Sequence, residues 1–172
     1  NRGIYKATSS RLPPTAMNNK KQEENFNKAK IVIYRLLNFR MRSEYEIREK
    51  LKPIKLPDTV INQAIRYFQD LELVNDRQFA RQWISSRLKK PFGFNRIRQE
   101  LRQKGIPGPI VQEFIDEASK NYDEVKTATE LARRRAEKYK GTEPNTVRLR
   151  VNGYLQRRGF SPEAIIKAIK TL

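Results

Sequence analysis

Two residue types are missing from this chain altogether: its 172 residues include no cysteine and no histidine. Without cysteine there is no disulfide framework and no thiolate metal site. Without histidine the chain lacks the commonest general base, the commonest zinc ligand and the usual pH switch. Glycine is sparse, and its seven copies are too scattered to build a phosphate-cradling loop. The acidic residues show no calcium-loop spacing, and no nucleophile–base pair is visible. No apolar run approaches the ~18 residues of a membrane span, and no signal-peptide pattern is present. These absences predict a soluble, cytoplasmic protein that is not an enzyme and takes no cofactor or metal.

Acidic residues are also in the minority. Nineteen Asp and Glu stand against 37 Lys and Arg, a formal charge of +18 and a pI near 10.3. Solubility needs a net charge of only about 2–8. The surplus therefore predicts a polyanionic partner: nucleic acid, an anionic surface or an acidic protein.

What the chain does have is a repeat. SEYEIREKLKPIKLPDTVINQAI from Ser43, GFNRIRQELRQKGIPGPIVQEFI from Gly93 and RLRVNGYLQRRGFSPEAIIKAI near the end share one apolar pattern. Ile47, Ile97 and Val151 correspond, as do Leu51, Leu101 and Leu155. Leu56, Ile106 and Phe160 follow, then Ile61, Val111 and Ile165, then Ile65, Ile115 and Ile169. The offsets are 50 and then 54 residues, with no gap inside the block. Residues four apart share a helix face. Gly105 and Gly159 sit where a helix stops and the chain takes positive φ. Pro107, Pro109 and Pro162 suit the start of the following helix, with Ser161 as a cap. The block is helix–turn–helix. A preceding helix is expected near 22–41, 76–90 and 122–139, with Asp76 and Asp123 as caps or first-turn acids.

The predicted fold is all-α: three tandem three-helix repeats forming an elongated, curved array. The expected divisions are a tail or linker over 1–21, then repeats over 22–74, 75–121 and 122–172. Ile4 and Tyr5 of the tail are expected either to dock on the body or to belong to something upstream. In the first repeat Ile54-Lys55 stands where Lys104-Gly105 stands in the second, so that turn is expected to differ.

The charge is uneven. It gathers on the first and middle helices of the repeats, which supply the candidate residues for binding DNA or another polyanion. These are Arg35, Arg40 and Arg42; Arg81, Arg87, Lys89 and Lys90; Arg96, Arg98 and Arg102; Arg133 and Arg134; and Arg148, Arg150, Arg157 and Arg158. The last helices of the first two repeats are acidic instead, with Asp58, Asp70 and Glu72, then Glu113, Asp116 and Glu117. Phosphate repels such helices, which argues against major-groove reading by those two units. A basic surface built from first and middle helices predicts backbone contact with single- or double-stranded DNA and little sequence reading. A third possibility puts acidic last helices and basic first helices on different protein partners. Phe92 and Phe94, beside Lys89 and Lys90, are read as anchors of a helix turn ahead of base-stacking groups. Phe79 and Trp83 are read as core. The tyrosines show no stacking pattern.

Arg42-Ser43 with Glu46-Ile47 and Leu51 resembles the first repeat of the RecX family, regulators of the bacterial recombinase RecA. Asn75-Asp76, Phe79-Ala80, Arg87, Gly93, Ile97, Leu101 and Gly105-Ile106 resemble its second. Leu155, Arg157-Arg158-Gly159-Phe160 and the closing helix resemble its third. The resemblance spans about residues 28–172. It implies tandem three-helix repeats; the chain itself is expected to be a monomer with no membrane partner. It also implies binding to the groove of the RecA filament on DNA, with damping of ATPase and strand exchange. The alternative is a sequence-tolerant nucleic-acid-binding repeat protein with no RecA partner. Bare-DNA affinity as strong as filament affinity would favour it.

Overall fold

The computed structural model describes residues 14–172, with side chains from residue 18 onward. Ile4 and Tyr5 lie outside the described residues. Nine α-helices and no strand are present among the described residues. Repeat 1 holds α1 (Pro14–Phe39), α2 (Glu44–Leu51) and α3 (Asp58–Asp70). Repeat 2 holds α4 (Asp76–Leu88), α5 (Phe94–Gln103) and α6 (Gly108–Ser119). Repeat 3 holds α7 (Glu124–Ala136), α8 (Pro144–Arg157) and α9 (Pro162–Ile169).

The helix ends follow the local chemistry. Asn75 caps α4, its side chain accepting from the N–H groups of Arg77 and Gln78, so Asp76 is a first-turn acid. Asp123 caps α7 and Ser161 caps α9. Gly105 and Gly159 stop α5 and α8 at φ 72° and 78°. In repeat 1, Pro53 has no N–H to donate, and α2 tightens into a 3-10 turn over Lys52–Ile54. Lys55 then takes the left-handed position itself, at φ 55°. The first helix begins at Pro14, eight residues before the expected start near 22. Pro14 holds its first position, where a missing N–H costs nothing.

Each repeat closes its own core. Ile33, Ile47, Leu51, Ile65 and Phe68 fill the first. Phe79, Ile97, Leu101, Ile106 and Ile115 fill the second. Val151, Leu155, Phe160 and Ile165 fill the third. Met41 from repeat 1 and Tyr122 from the start of repeat 3 pack against the second core. Repeats 1 and 3 share no hydrogen bond or ion pair among the described residues. The repeats are thus strung in one line, each held to its sequence neighbour.

Two junctions join them, built on one plan. The start of a middle helix in one repeat meets the glycine turn of the next. Ser43, fully buried, caps α2 by accepting from the Glu46 N–H and donates through its Oγ to the Lys104 carbonyl (2.7 Å). The Glu44 N–H reaches the Asp76 carboxylate at 2.9 Å. At the second junction the Gly93 N–H donates to the Arg158 carbonyl (2.9 Å) and the Asn95 N–H to that of Gly159 (3.0 Å). The Phe94 N–H donates to Glu124. Replacing Ser43 by alanine removes both a cap and a junction bond and leaves a buried carbonyl unpaired. The expected cost is about 2–3 kcal/mol in urea denaturation, against about 1 kcal/mol for Ser161→Ala, which loses only a cap.

Candidate nucleic-acid and filament interface

Basic side chains become a surface only once their acidic neighbours are placed. Glu100 on α5 accepts from Trp83 Nε1 (2.9 Å), Arg87 Nε (2.6 Å) and Arg96 Nε (3.0 Å). Burial acts to raise its pKa, but these three donors outweigh it and hold the carboxyl below its ordinary range. Glu46 on α2 is the second such centre, pairing with Arg40 (2.9 Å) and, across the first junction, with Lys104 (2.7 Å). Burial again opposes ionisation, and the two cations bring the Glu46 pKa down to about 2.

A depressed carboxyl contributes stability above its unfolded pKa, and that contribution fades as pH falls through the folded value. Between the ordinary carboxylate range and pH 2, up to about 3 kcal/mol is therefore expected to be lost at the first junction. The acid limb of a stability–pH curve checks this, with Glu46→Gln expected to flatten it. The lone tryptophan reports locally, since Lys104 Nζ lies 4.3 Å from its ring centroid.

Around these carboxylates runs a line of alternating cations and aromatic rings. Arg150 lies over Tyr139 (5.1 Å to the centroid), and Arg135 over Tyr139 (5.4 Å) and Tyr154 (4.9 Å). Arg158 lies over Tyr154 (5.2 Å) and Phe92 (5.1 Å). Phe92 also meets Arg96 (4.2 Å) and Arg87 (5.9 Å), and Arg87 covers Trp83 (4.3 Å). Lys104 follows on Trp83 and links through Glu46 to Arg40. The line thus crosses both junctions and touches all three repeats. Stacking on rings restrains guanidinium groups without consuming their hydrogen-bond edges.

Two polar grooves lie along this line and share Glu100 and Gln103. One, of about 350 Å³, is bounded by Asn95, Arg96, Gln99, Gln156, Arg157 and Gly159. The other, of about 270 Å³, is bounded by Glu46, Trp83, Arg87 and Lys104.

The sixteen candidate cations divide accordingly. Arg87, Arg96, Arg150 and Arg158 join the line, and Arg40 reaches it through Glu46. Arg157 lines the groove beside Arg96, its carbonyl accepting from the Arg96 guanidinium at 3.3 Å. Lys90 adjoins, its carbonyl accepting from Arg158. Arg81 turns away, pairing with Glu117 and lying over Phe114. Arg42 is half-buried, its Nε enclosed without a partner among the described residues. Arg98 bonds Asn95. Arg35, Lys89, Arg102, Arg133, Arg134 and Arg148 are exposed and have no ion-pair partner among the described residues.

Lys104, Arg135, Tyr139 and Tyr154 are missing from the candidate set. The signal for most of them is an arginine four residues from an aromatic, as in Arg135/Tyr139 and Tyr154/Arg158. Phe94 is buried against Tyr122, as expected of a turn anchor, whereas Phe92 is a cation platform. Trp83 stacks on Phe79 but keeps one edge at the junction. The acidic α6 faces α4, where Glu113 pairs with Arg77 and Glu117 with Arg81. For the second repeat, that pairing weakens the reading in which the acidic helices serve a separate basic partner.

Comparison with known proteins agrees with this architecture. Family models for the first, second and third three-helix domains of RecX match residues 29–68, 75–115 and 122–169. The chain is 34% identical over 137 residues to a regulatory protein RecX of Prosthecochloris aestuarii, covering 79% of this chain and 87% of that one. It is 32% identical over 141 residues to one of Thermobifida fusca, covering 81% and 75%. A crystal structure of RecX from Lactobacillus salivarius has the same fold, with a TM-score of 0.75 at 22% identity over 87% of this chain and 97% of that one. A second RecX crystal structure gives a TM-score of 0.78 at 22% identity, over 95% and 80%. Three domain matches in order, together with relatives at this identity and coverage, place the chain in the RecX family of regulatory proteins.

Proposed function

We propose that this chain binds the RecA recombinase and its filament on DNA as a monomer in the bacterial cytoplasm, and damps ATP hydrolysis and strand exchange. The observation that carries the reading is the cation–aromatic line that passes through both junctions. A surface so continuous suits a long polyanionic or mixed protein–DNA groove better than a compact ligand. Membership of the RecX family supports the recombinase as the object of regulation. The sixteen candidate cations are proposed to serve this surface unequally. The exposed ones without a carboxylate contact phosphate or filament, while Arg40, Arg87 and Arg96 hold the surface in shape.

The direct test is RecA ATPase activity on single-stranded DNA with and without this protein. Inhibition at or below one molecule per recombinase subunit is expected. An unchanged rate at low salt would overturn the proposal. Binding to bare DNA as tight as binding to the filament would instead favour a general nucleic-acid module.

A further inference from the structure

The two junctions set a rule that the third equivalent turn breaks. A Cβ placed on Gly105 would fall 2.3 Å from the Tyr45 Cβ of α2. One placed on Gly159 would fall 2.3 Å from the Arg96 Cβ and 2.4 Å from its backbone nitrogen. Carbon atoms in contact stay about 3.5–4.0 Å apart. A docked middle helix therefore demands glycine at the turn beneath it. The matching turn of repeat 1 presents Lys55, which has a Cβ in the same left-handed conformation and is exposed. An L-residue held there costs roughly 1–2 kcal/mol, and the Lys55 side chain makes no hydrogen bond or ion pair among the described residues to offset it; only its backbone N–H bonds, to the Lys52 carbonyl.

The opposite end of the array is finished differently. Val147 aligns with Ser43 and Gly93, the residues that begin the two docked helices. In repeat 3 that position lies inside α8, which starts earlier, at Pro144. The helix carries its own cap there, with the Glu143 carboxylate accepting from the N–H groups of Asn145 and Thr146. The start of α8 therefore lacks the shape that seats on a glycine turn.

We infer that Lys55 is an end stop: it closes the docking turn of repeat 1, which no middle helix among the described residues occupies, so that a second copy of this chain is refused there. The extended start of α8 refuses the same contact from the other side. The device is steric, so salt does not relieve it.

Moving the stop into a native junction tests it. Gly105→Lys is expected to eject α2 from its seat. The radius of gyration by X-ray scattering should rise while helicity by circular dichroism holds, because each repeat keeps its own core. Gly105→Ala, which carries the same Cβ without the charge, should do likewise and serves as readout if the lysine variant misfolds. Wild-type protein should sediment as a single 20.3 kDa species from micromolar to near-millimolar concentration. Unchanged scattering of both glycine variants would overturn the inference. So would concentration-dependent wild-type oligomers that cross-link the Lys55 turn to the start of α8.

Discussion

Valine in place of Gly93 is expected to part repeat 3 from repeat 2. A Cβ at that position would lie 2.2 Å from the Gly159 oxygen and 2.3 Å from both the Gly159 carbonyl carbon and the Phe160 Cα. All three are backbone atoms, so no side-chain rotation relieves the overlap. The φ of −76° at Gly93 is open to any residue, and the effect is purely one of space. The Gly93 and Asn95 hydrogen bonds to the Arg158 and Gly159 carbonyls would be lost together. Overpacking of this kind costs roughly 3 kcal/mol or more. The cores on either side share few side chains, so two transitions in urea are expected of the variant and one of the wild type. Binding to a filament should fall on the order of 100-fold, because linked sites lose their effective concentration when they cannot engage together. A single wild-type-like transition would contradict this. The first junction offers a contrast, since the equivalent residue there is Ser43, whose side chain has room and makes the bond.

Changing Lys89, Lys90, Arg102 and Arg157 to glutamine together is expected to remove much of the polyanion binding and leave the fold intact. All four are exposed, and none has an ion-pair partner among the described residues. Each phosphate contact contributes about 0.9 to the log–log salt slope on duplex DNA. The slope should flatten by about 3–4, and affinity at moderate salt should fall on the order of 100- to 1,000-fold. Fluorescence anisotropy across a salt series measures both. Arg77→Gln with Arg81→Gln is the control. Those charges are matched by Glu113 and Glu117, so the slope should move by less than about 1 unit. Equal losses from the two sets would show that net charge alone governs binding.

The repeats are legible in the sequence because apolar spacing and glycine turns are local. Ile97, Leu101 and Gly105 announce a helix and its end within nine residues, and the structure keeps that reading. The early start of α1 is not announced, because Asn18 to Glu24 is polar on every side and offers no apolar stripe. The site is harder to read, for a different reason. A count of arginines finds the charge but not its partners, and several of those partners lie far along the chain. Lys104 meets Glu46 across 58 residues, and Arg77 meets Glu113 across 36. Arg87 looks as free as Arg102 until Glu100 is placed beside it, whereas the Arg96–Glu100 pair is one helical turn apart and local.

The separateness of the three cores also governs how the chain acquires its form. The buried residues of each core come from one repeat, so most ordering contacts close short loops. Such topologies fold in microseconds to milliseconds. Repeat 1 can finish while repeat 2 is still emerging from the ribosome. In the finished protein the repeats are expected to open locally and separately, so amide protons in α9 and α2 should exchange by independent events of different free energy. A molecule assembled this way can lose one repeat's order without forfeiting the other two.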